Sequence, residues 1–280
     1  MVERQNKNDI VSKLDRMQCS VQELRTIYRP VRKKTPLLQN EKYKFSSKYG
    51  KVTIEVVVPT QTHRTILDLV HLCCDNIHKV NDGRVMVTFS LYDLAKEYGY
   101  KGNPRQAVSW VKDMLVDLKK SLIHLKMPNS TGVYFSILDE VGYSSKIEIA
   151  GKETPIKSSY IIYSQKYLEF FGENVRINYL SKIKSIMACT PVVQAIIRHC
   201  ITQAGNYSVG LLKILENIGV DINNRTTVAK AKAAIEKDKK ILMEFGLTLR
   251  KDKDKDGYTL YYDRGKTKDA VKHEVPRKGE

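Results

Sequence analysis

The stretch KDKDKDGYTLYYDRGKT, residues 251–267, supports three readings that lead to three different proteins. Asp252, Asp254, Asp256 and Gly257 follow the D-x-D-x-D-G spacing of a calcium loop, and Asp263 falls at its twelfth position. Gly265-Lys266-Thr267 ends as a phosphate-binding loop ends. The third reading is a β-hairpin whose tip carries lysines. The flanks decide among them. A calcium hand sits between two helices, whereas Leu247-Thr248-Leu249-Arg250 and Tyr258 to Tyr262 alternate like strands. Aspartate at the twelfth position is one methylene short for the usual bidentate reach, and Thr259 stands where the hand packs an apolar side chain. A phosphate loop needs a glycine at position 260, which is leucine, and a helix after Thr267, where no helical pattern follows. The hairpin reading fits both flanks, with Gly257 at the turn and Lys251, Lys253 and Lys255 at an exposed tip.

Upstream of the hairpin, LLKILENIGV (211–220) has the pattern of a short helix closed by Gly219. DINNRTTVAKAKAAIEKDKKILMEF (221–245) reads as one long, capped helix. The same order occurs earlier in the chain. LYDLAKEYGY (91–100) is a short helix stopped at Gly99, with Leu91, Leu94 and Ala95 inward. NPRQAVSWVKDMLVDLKK (103–120) has Asn103 as cap and Pro104 at the first helical position. SLIHLKM and VYFSILDEV, either side of PNSTG, make the hairpin that follows. A helix over TILDLVHLCCDNI (65–77), with Ile66, Leu69, Val70, Cys73 and Ile77 on one face, and a strand at 84–90 precede it. One unit thus occurs twice: helix, short helix, turn, long helix, hairpin. The expected fold is α+β, two tandem winged-helix domains, at 51–163 and 164–265. They are flanked by a basic, largely extended N-terminal arm (1–50) and a charged tail (266–280). A short helix is expected around residues 8–27, and VTIEVVV (52–58) begins the folded part as a strand.

Charge points to the partner. Forty-eight basic against 31 acidic side chains give this 280-residue chain a net charge of +17. Such an excess favours nucleic acid or an acidic membrane surface. No apolar run is long enough for a membrane span, and MVERQNKNDIV lacks the apolar core of a secretory signal. Five cysteines without C-x-x-C spacing read as reduced thiols of a cytoplasmic protein. The densest basic cluster of the arm is Arg32, Lys33 and Lys34, between two prolines.

At 100° per residue the second long helix places Val228, Ala231, Ile235 and Leu242 on its core stripe. Thr226, Lys230, Ala233 and Lys237 lie opposite, with Lys240 at the flank. Asn223, Asn224, Arg225 and Thr227 gather at its start. Arginine can bond guanine and asparagine can bond adenine bidentately, so this end is equipped to read bases in a major groove. Residues 225–243 carry six basic and two acidic side chains. In the first unit Arg105, Ser109, Lys112 and Lys120 face outward, but so does Asp113, and the net charge over 104–121 is +2. That helix is expected to grip phosphates more weakly or to serve a protein interface; Trp110 lies on its flank.

Catalytic arrangements fare poorly. The six histidines form no H-x-H pair, which removes the ligands of metal-dependent nicking enzymes. Zinc on His71, Cys74 and His78 requires all three on one helix face; an ordinary buried thiol is the plainer reading. His199 and Cys200 are neighbours on a helix entered at Pro191, so they do not face each other as a dyad, and Cys200 reads as core. The chain is expected not to be an enzyme and to need no cofactor or metal.

Between the two units, YLEFFGENVRINYLSKIKSIMACTPVVQAIIRHCITQ (167–203) has a strand and short helix ending in Phe171-Gly172. An arginine-isoleucine-asparagine run follows at 176–178, and a proline-started helix opens at Pro191. Over roughly residues 60–262 this arrangement resembles the iteron-plasmid replication initiators of the TrfA and RepE type. The resemblance implies binding to double-stranded DNA at short direct repeats of a replication origin, local melting, and recruitment of a host initiator or replicative helicase. It also implies a monomer–dimer balance, with a homodimer formed through the first domain and repression of the protein's own gene. A winged-helix transcription regulator without a replication role uses the same chemistry; a gene lying beside direct repeats separates the two.

Overall fold

The computed structural model describes residues 27–30, 42–47, 50–80, 84–127, 131–149, 152–171, 176–203, 205–251, 257–267 and 272–274. The chain divides into two compact units. Both are α+β, built from antiparallel strands and intervening helices. The expected helix around 8–27 falls almost wholly outside the described residues.

The first unit opens with β1 (Tyr43–Ser47) and β2 (Gly50–Glu55), paired antiparallel. The end of the expected arm is therefore a strand, because Tyr43–Ser47 finds a ladder along β2. Helix α1 (Gln61–Leu72) buries Ile66, Leu67, Leu69 and Val70. It stops short of the expected Ile77, since β3 (Cys74–Lys79) pairs with the fully buried β4 (Val85–Phe89). Inter-strand bonding overrides the helical spacing of Cys73 and Ile77. Helices α2 (Leu91–Tyr98) and α3 (Pro104–Lys120) follow as expected, and so does the hairpin of β5 (Leu122–Lys126) and β6 (Gly132–Phe135). These strands extend the first pair into a sheet ordered β1-β2-β5-β6, whose inner face holds Val52, Ile54, Ile123, Leu125 and Phe135.

A second hairpin, β7 (Leu138–Ile149) and β8 (Lys152–Tyr163), completes a sheet ordered β3-β4-β8-β7. Beyond residue 141 it lies outside the strands expected from sequence. Helix α4 (Gln165–Phe171) stays with this unit: Ser164 N–H donates to Ile137 O at 3.2 Å, and Tyr167 stacks on Tyr163 with centroids 6.1 Å apart. The compact unit that contains α4 extends to Glu173.

The second unit contains β9 (Arg176–Asn178), α5 (Ile183–Ala188), α6 (Pro191–Cys200), β10 (Tyr207–Gly210) and α7 (Leu211–Asn217). Helix α8 (Arg225–Lys237) is separated from α9 (Lys239–Glu244) by Asp238, where a single long helix was expected. The Asp238 carboxylate is drawn inward, where it accepts from the Thr190 N–H at 2.8 Å and is 7% exposed. Strands β11 (Leu247–Lys251) and β12 (Tyr258–Tyr262) pair antiparallel, and β10 joins them in a sheet ordered β10-β12-β11. Ile196, Ile197, Ile214, Leu215, Ile235, Leu242, Phe245 and Leu260 close the core. The expected charged tail is partly built in. Thr267 is buried, and β13 (Lys272–Glu274) pairs antiparallel with β9.

Candidate nucleic-acid interface

The hairpin reading of 251–267 holds in its strands: Lys251 is the partner of Tyr258, which brackets the tip. The Asp263 carboxylate accepts from the Gly265 N–H at 3.0 Å in a local turn. Among the described residues no group of three His, Cys, Asp or Glu could hold a metal ion. Lys251 is exposed, whereas Lys253 and Lys255, like Arg32, Lys33 and Lys34, lie outside the described residues.

Helix α8 presents the expected basic face. Its entry is set by local chemistry. Gly219, at φ 82°, closes α7, and the Asn224 side chain caps α8 by accepting from Thr227 N–H at 3.1 Å. The cap directs the Asn224 carbonyl, the acceptor half of a bidentate contact to adenine, towards the helix backbone. Asn223, Arg225, Thr226, Lys230 and Lys237 are exposed, as is Lys240 on α9; Thr227 is half-buried by its capping role. No acidic residue lies in the first turn of α8. Its free N–H groups and partial positive charge are therefore open to a phosphate. Glu236 is the one carboxylate of residues 225–237, and Asp238, just beyond them, is buried.

Two cation–π contacts were not anticipated. Lys232 Nζ sits 3.8 Å from the Tyr258 ring centroid and ties α8 to β12. The Arg250 guanidinium lies 5.0 Å from the Tyr261 ring on the exposed side of the hairpin. Only the alternation of YTLYY hinted at which tyrosines turn outward.

In the first unit, Ser90 accepts from Asp93 N–H at the start of α2, and Gly99 (φ 76°) ends it. Asn103 caps α3 through Arg105 N–H at 2.9 Å. Arg105, Ser109, Lys112, Asp113 and Lys120 are exposed, as expected. Asp117, included in the net charge of 104–121, is buried 3.6 Å from His63. Trp110 packs on Tyr98 (centroids 4.7 Å) and Tyr100 (5.8 Å), bracing the turn between α2 and α3.

The sites considered for other chemistry dissolve in the structure. His71 lies on α1 and shares a 2.6 Å hydrogen bond with Tyr163 OH, whereas Cys74 and His78 belong to β3. The zinc face on one helix does not form. Burial, with nearby Glu97 and Asp93, pushes the Cys73 thiol up to about 11. Burial and Asp238 push Cys189 up to about 12. Thiols held that high are protonated near neutral pH. Cys200 is buried in the core. No described helix is long and apolar enough to cross a membrane.

No family model and no curated protein matches the chain. Among solved structures it is similar to the crystal structure of RctB domains 2-3 (fragment 155-483). That likeness covers 90% of this chain and 100% of that one, with 11% identity and a TM-score of 0.50. A selenomethionine derivative of RctB domains 2 and 3 aligns over 86% of this chain and 97% of that one, with 11% identity and a TM-score of 0.48. At this identity the similarity to the first of them is one of fold alone.

Proposed function

We propose that the protein binds double-stranded DNA at repeated sites of a replication origin, initiates replication there and represses its own gene. We read each unit as a winged helix. In the second, α6, α7 and α8 supply the helices, β10 the short strand, and β11–β12 the wing. The observation that carries the reading is the outward side of α8. Arg225, Lys230 and Lys237 are exposed behind a capped end whose first turn has no acid. A helix with small and basic residues on that side can enter a major groove about 12 Å wide. The net charge of +17 supplies the long-range attraction. The replication role rests on the resemblance of residues 60–262 to iteron initiators. In this reading the protein works by binding and cleaves no bond. Dimerisation through the first unit, contact with a host initiator or helicase, and a cytoplasmic location belong to the same proposal.

The test is fluorescence anisotropy on duplexes tiling the DNA beside the gene, against scrambled duplexes, at about 150 mM salt. Tight binding confined to a repeated segment is expected. Equal, steeply salt-dependent binding to every duplex would reduce the protein to a general polyanion binder. Specific binding without repeats or origin activity would favour a transcription regulator.

A further inference from the structure

We propose that a cavity in the first unit, at the edge of the β5–β6 hairpin, binds an unpaired nucleotide. Its base stacks on Tyr134, and its phosphate sits among Lys119, Lys120 and Lys166. The cavity has a volume of about 450 Å³ and is lined by these residues together with Ser136, Gln165 and others. That volume lies within the range of small-molecule sites.

Tyr134 is the centre of the argument. His124 lies flat against one face of its ring, with centroids 4.1 Å apart and planes within 6°. Gly132 makes this possible, because a Cβ there would meet His124 Nε2 at 2.8 Å. Although covered on one side, Tyr134 is 58% exposed and lines the cavity. Its second face is thus presented to solvent as the next layer of a stack. A half-built stack beside ammonium groups matches the two parts of a nucleotide.

The surrounding charge agrees. Asp139 also lines the cavity, but Arg84 is 3.4 Å from its carboxylate, and Lys166 shares its charge with Glu169 at 2.6 Å. Lys119 and Lys120 have no ion pair among the described residues and are exposed. On the outer face of the same sheet, Lys51 and Lys126 are direct cross-strand partners, both exposed. Like charges placed opposite each other destabilise a sheet, and a bound phosphate relieves that cost. In the neighbouring row, Lys44, Thr53, His124 and Tyr134 follow one another across the four strands. Duplex DNA keeps its base faces inside the stack, so this arrangement suits a base that is unpaired. The inference is independent of duplex binding by the second unit.

The nucleotide can come from a single strand or from a free nucleoside triphosphate. The experiment uses the full chain carrying Lys230→Gln and Lys237→Gln, which removes two of the exposed basic charges of α8. Its probes are a fluorescein-labelled oligothymidylate of roughly ten residues and unlabelled ATP as competitor. Tyr134→Ala is expected to weaken the occupied probe roughly tenfold, and Tyr134→Phe to retain it. Lys119→Gln with Lys120→Gln is expected to lower the salt slope by about 0.7 per lost contact. Displacement by ATP at matching affinity assigns the site to free nucleotide, and oligothymidylate binding that ATP leaves intact assigns it to a strand. Binding of neither probe, or equal binding by the parent, Tyr134→Ala and the double lysine variant, overturns the proposal. Tyr134 is largely exposed, so its variants should fold; the lysine pair supplies a second reading if one does not. Duplex binding of the unsubstituted protein is measured separately and can fail without affecting this result.

Discussion

Single residues set the sharpest constraints. Gly246 has φ 67°, and a Cβ there would lie 2.3 Å from the Asp263 carbonyl oxygen, which neither end of the hairpin can yield cheaply. Gly246→Ala is expected to destabilise the second unit by about 2 kcal/mol or more, read as a lower urea midpoint at constant slope. The sequence did not single this glycine out, because the requirement comes from a backbone approach across sixteen intervening residues, including the hairpin tip. The cap at Asn103 was legible, and it bonds the N–H two residues away. Asn224 shows the limit of such reading: its residue type suggested an adenine reader, and in the structure its carbonyl caps α8. Arg225, exposed at the first turn, keeps its fork free for a base or phosphate. Arg225→Ala is expected to narrow the gap between specific and scrambled duplexes by roughly 1–3 kcal/mol. Equal losses on both would show that it reads no base.

At the scale of elements, the orientation of α8 depends on what holds its two ends. Asp238 ends it and bonds the backbone of Thr190 at the entry to α6. Asp238→Ala leaves that N–H without its acceptor and should cost about 1–3 kcal/mol of stability. It should also lower duplex affinity while leaving the salt slope unchanged, since no phosphate contact is lost. Lys230→Gln with Lys237→Gln should do the reverse. Binding would weaken on every duplex, and the slope would flatten by about 0.9 per lost phosphate contact, with the melting temperature unchanged. An unchanged slope would place both lysines off the DNA. The division of labour along this helix was visible in its 3.6-residue periodicity: Ala231 and Ile235 are buried, and Lys230 and Lys237 exposed. The break at Asp238 was not visible, because a buried aspartate fits a helical pattern until its distant partner is known. The same holds for Asp117 beside His63, and for β3, whose partner strand overrode its local helical spacing.

For the whole molecule, acidity is the simplest probe. Burial holds the His71 imidazole well below its usual range, so it stays neutral in the folded protein. Burial lowers His78 in the same direction. In the unfolded chain both take up protons near pH 6.5. Acidification below that pH therefore protonates the unfolded state preferentially, and stability should fall as pH drops from about 6.5 towards 5. His71→Gln should make that decline shallower in thermal melts across this range; an identical slope would assign the decline to other groups. The repeated order of elements and the basic character could be read from sequence alone, because periodicity, glycine stops and net charge are properties of the chain. The pairing of β13 with β9 could not, because Arg176–Asn178 and Lys272–Glu274 have little pattern of their own. That pairing joins residues 176–178 to residues 272–274 across a long stretch of intervening chain. Closing so long a loop is entropically costly, and only a three-residue ladder is gained by it. Hydrogen exchange should therefore find these amides opening first and re-forming last, a local clasp that releases while the β10-β12-β11 sheet stays protected.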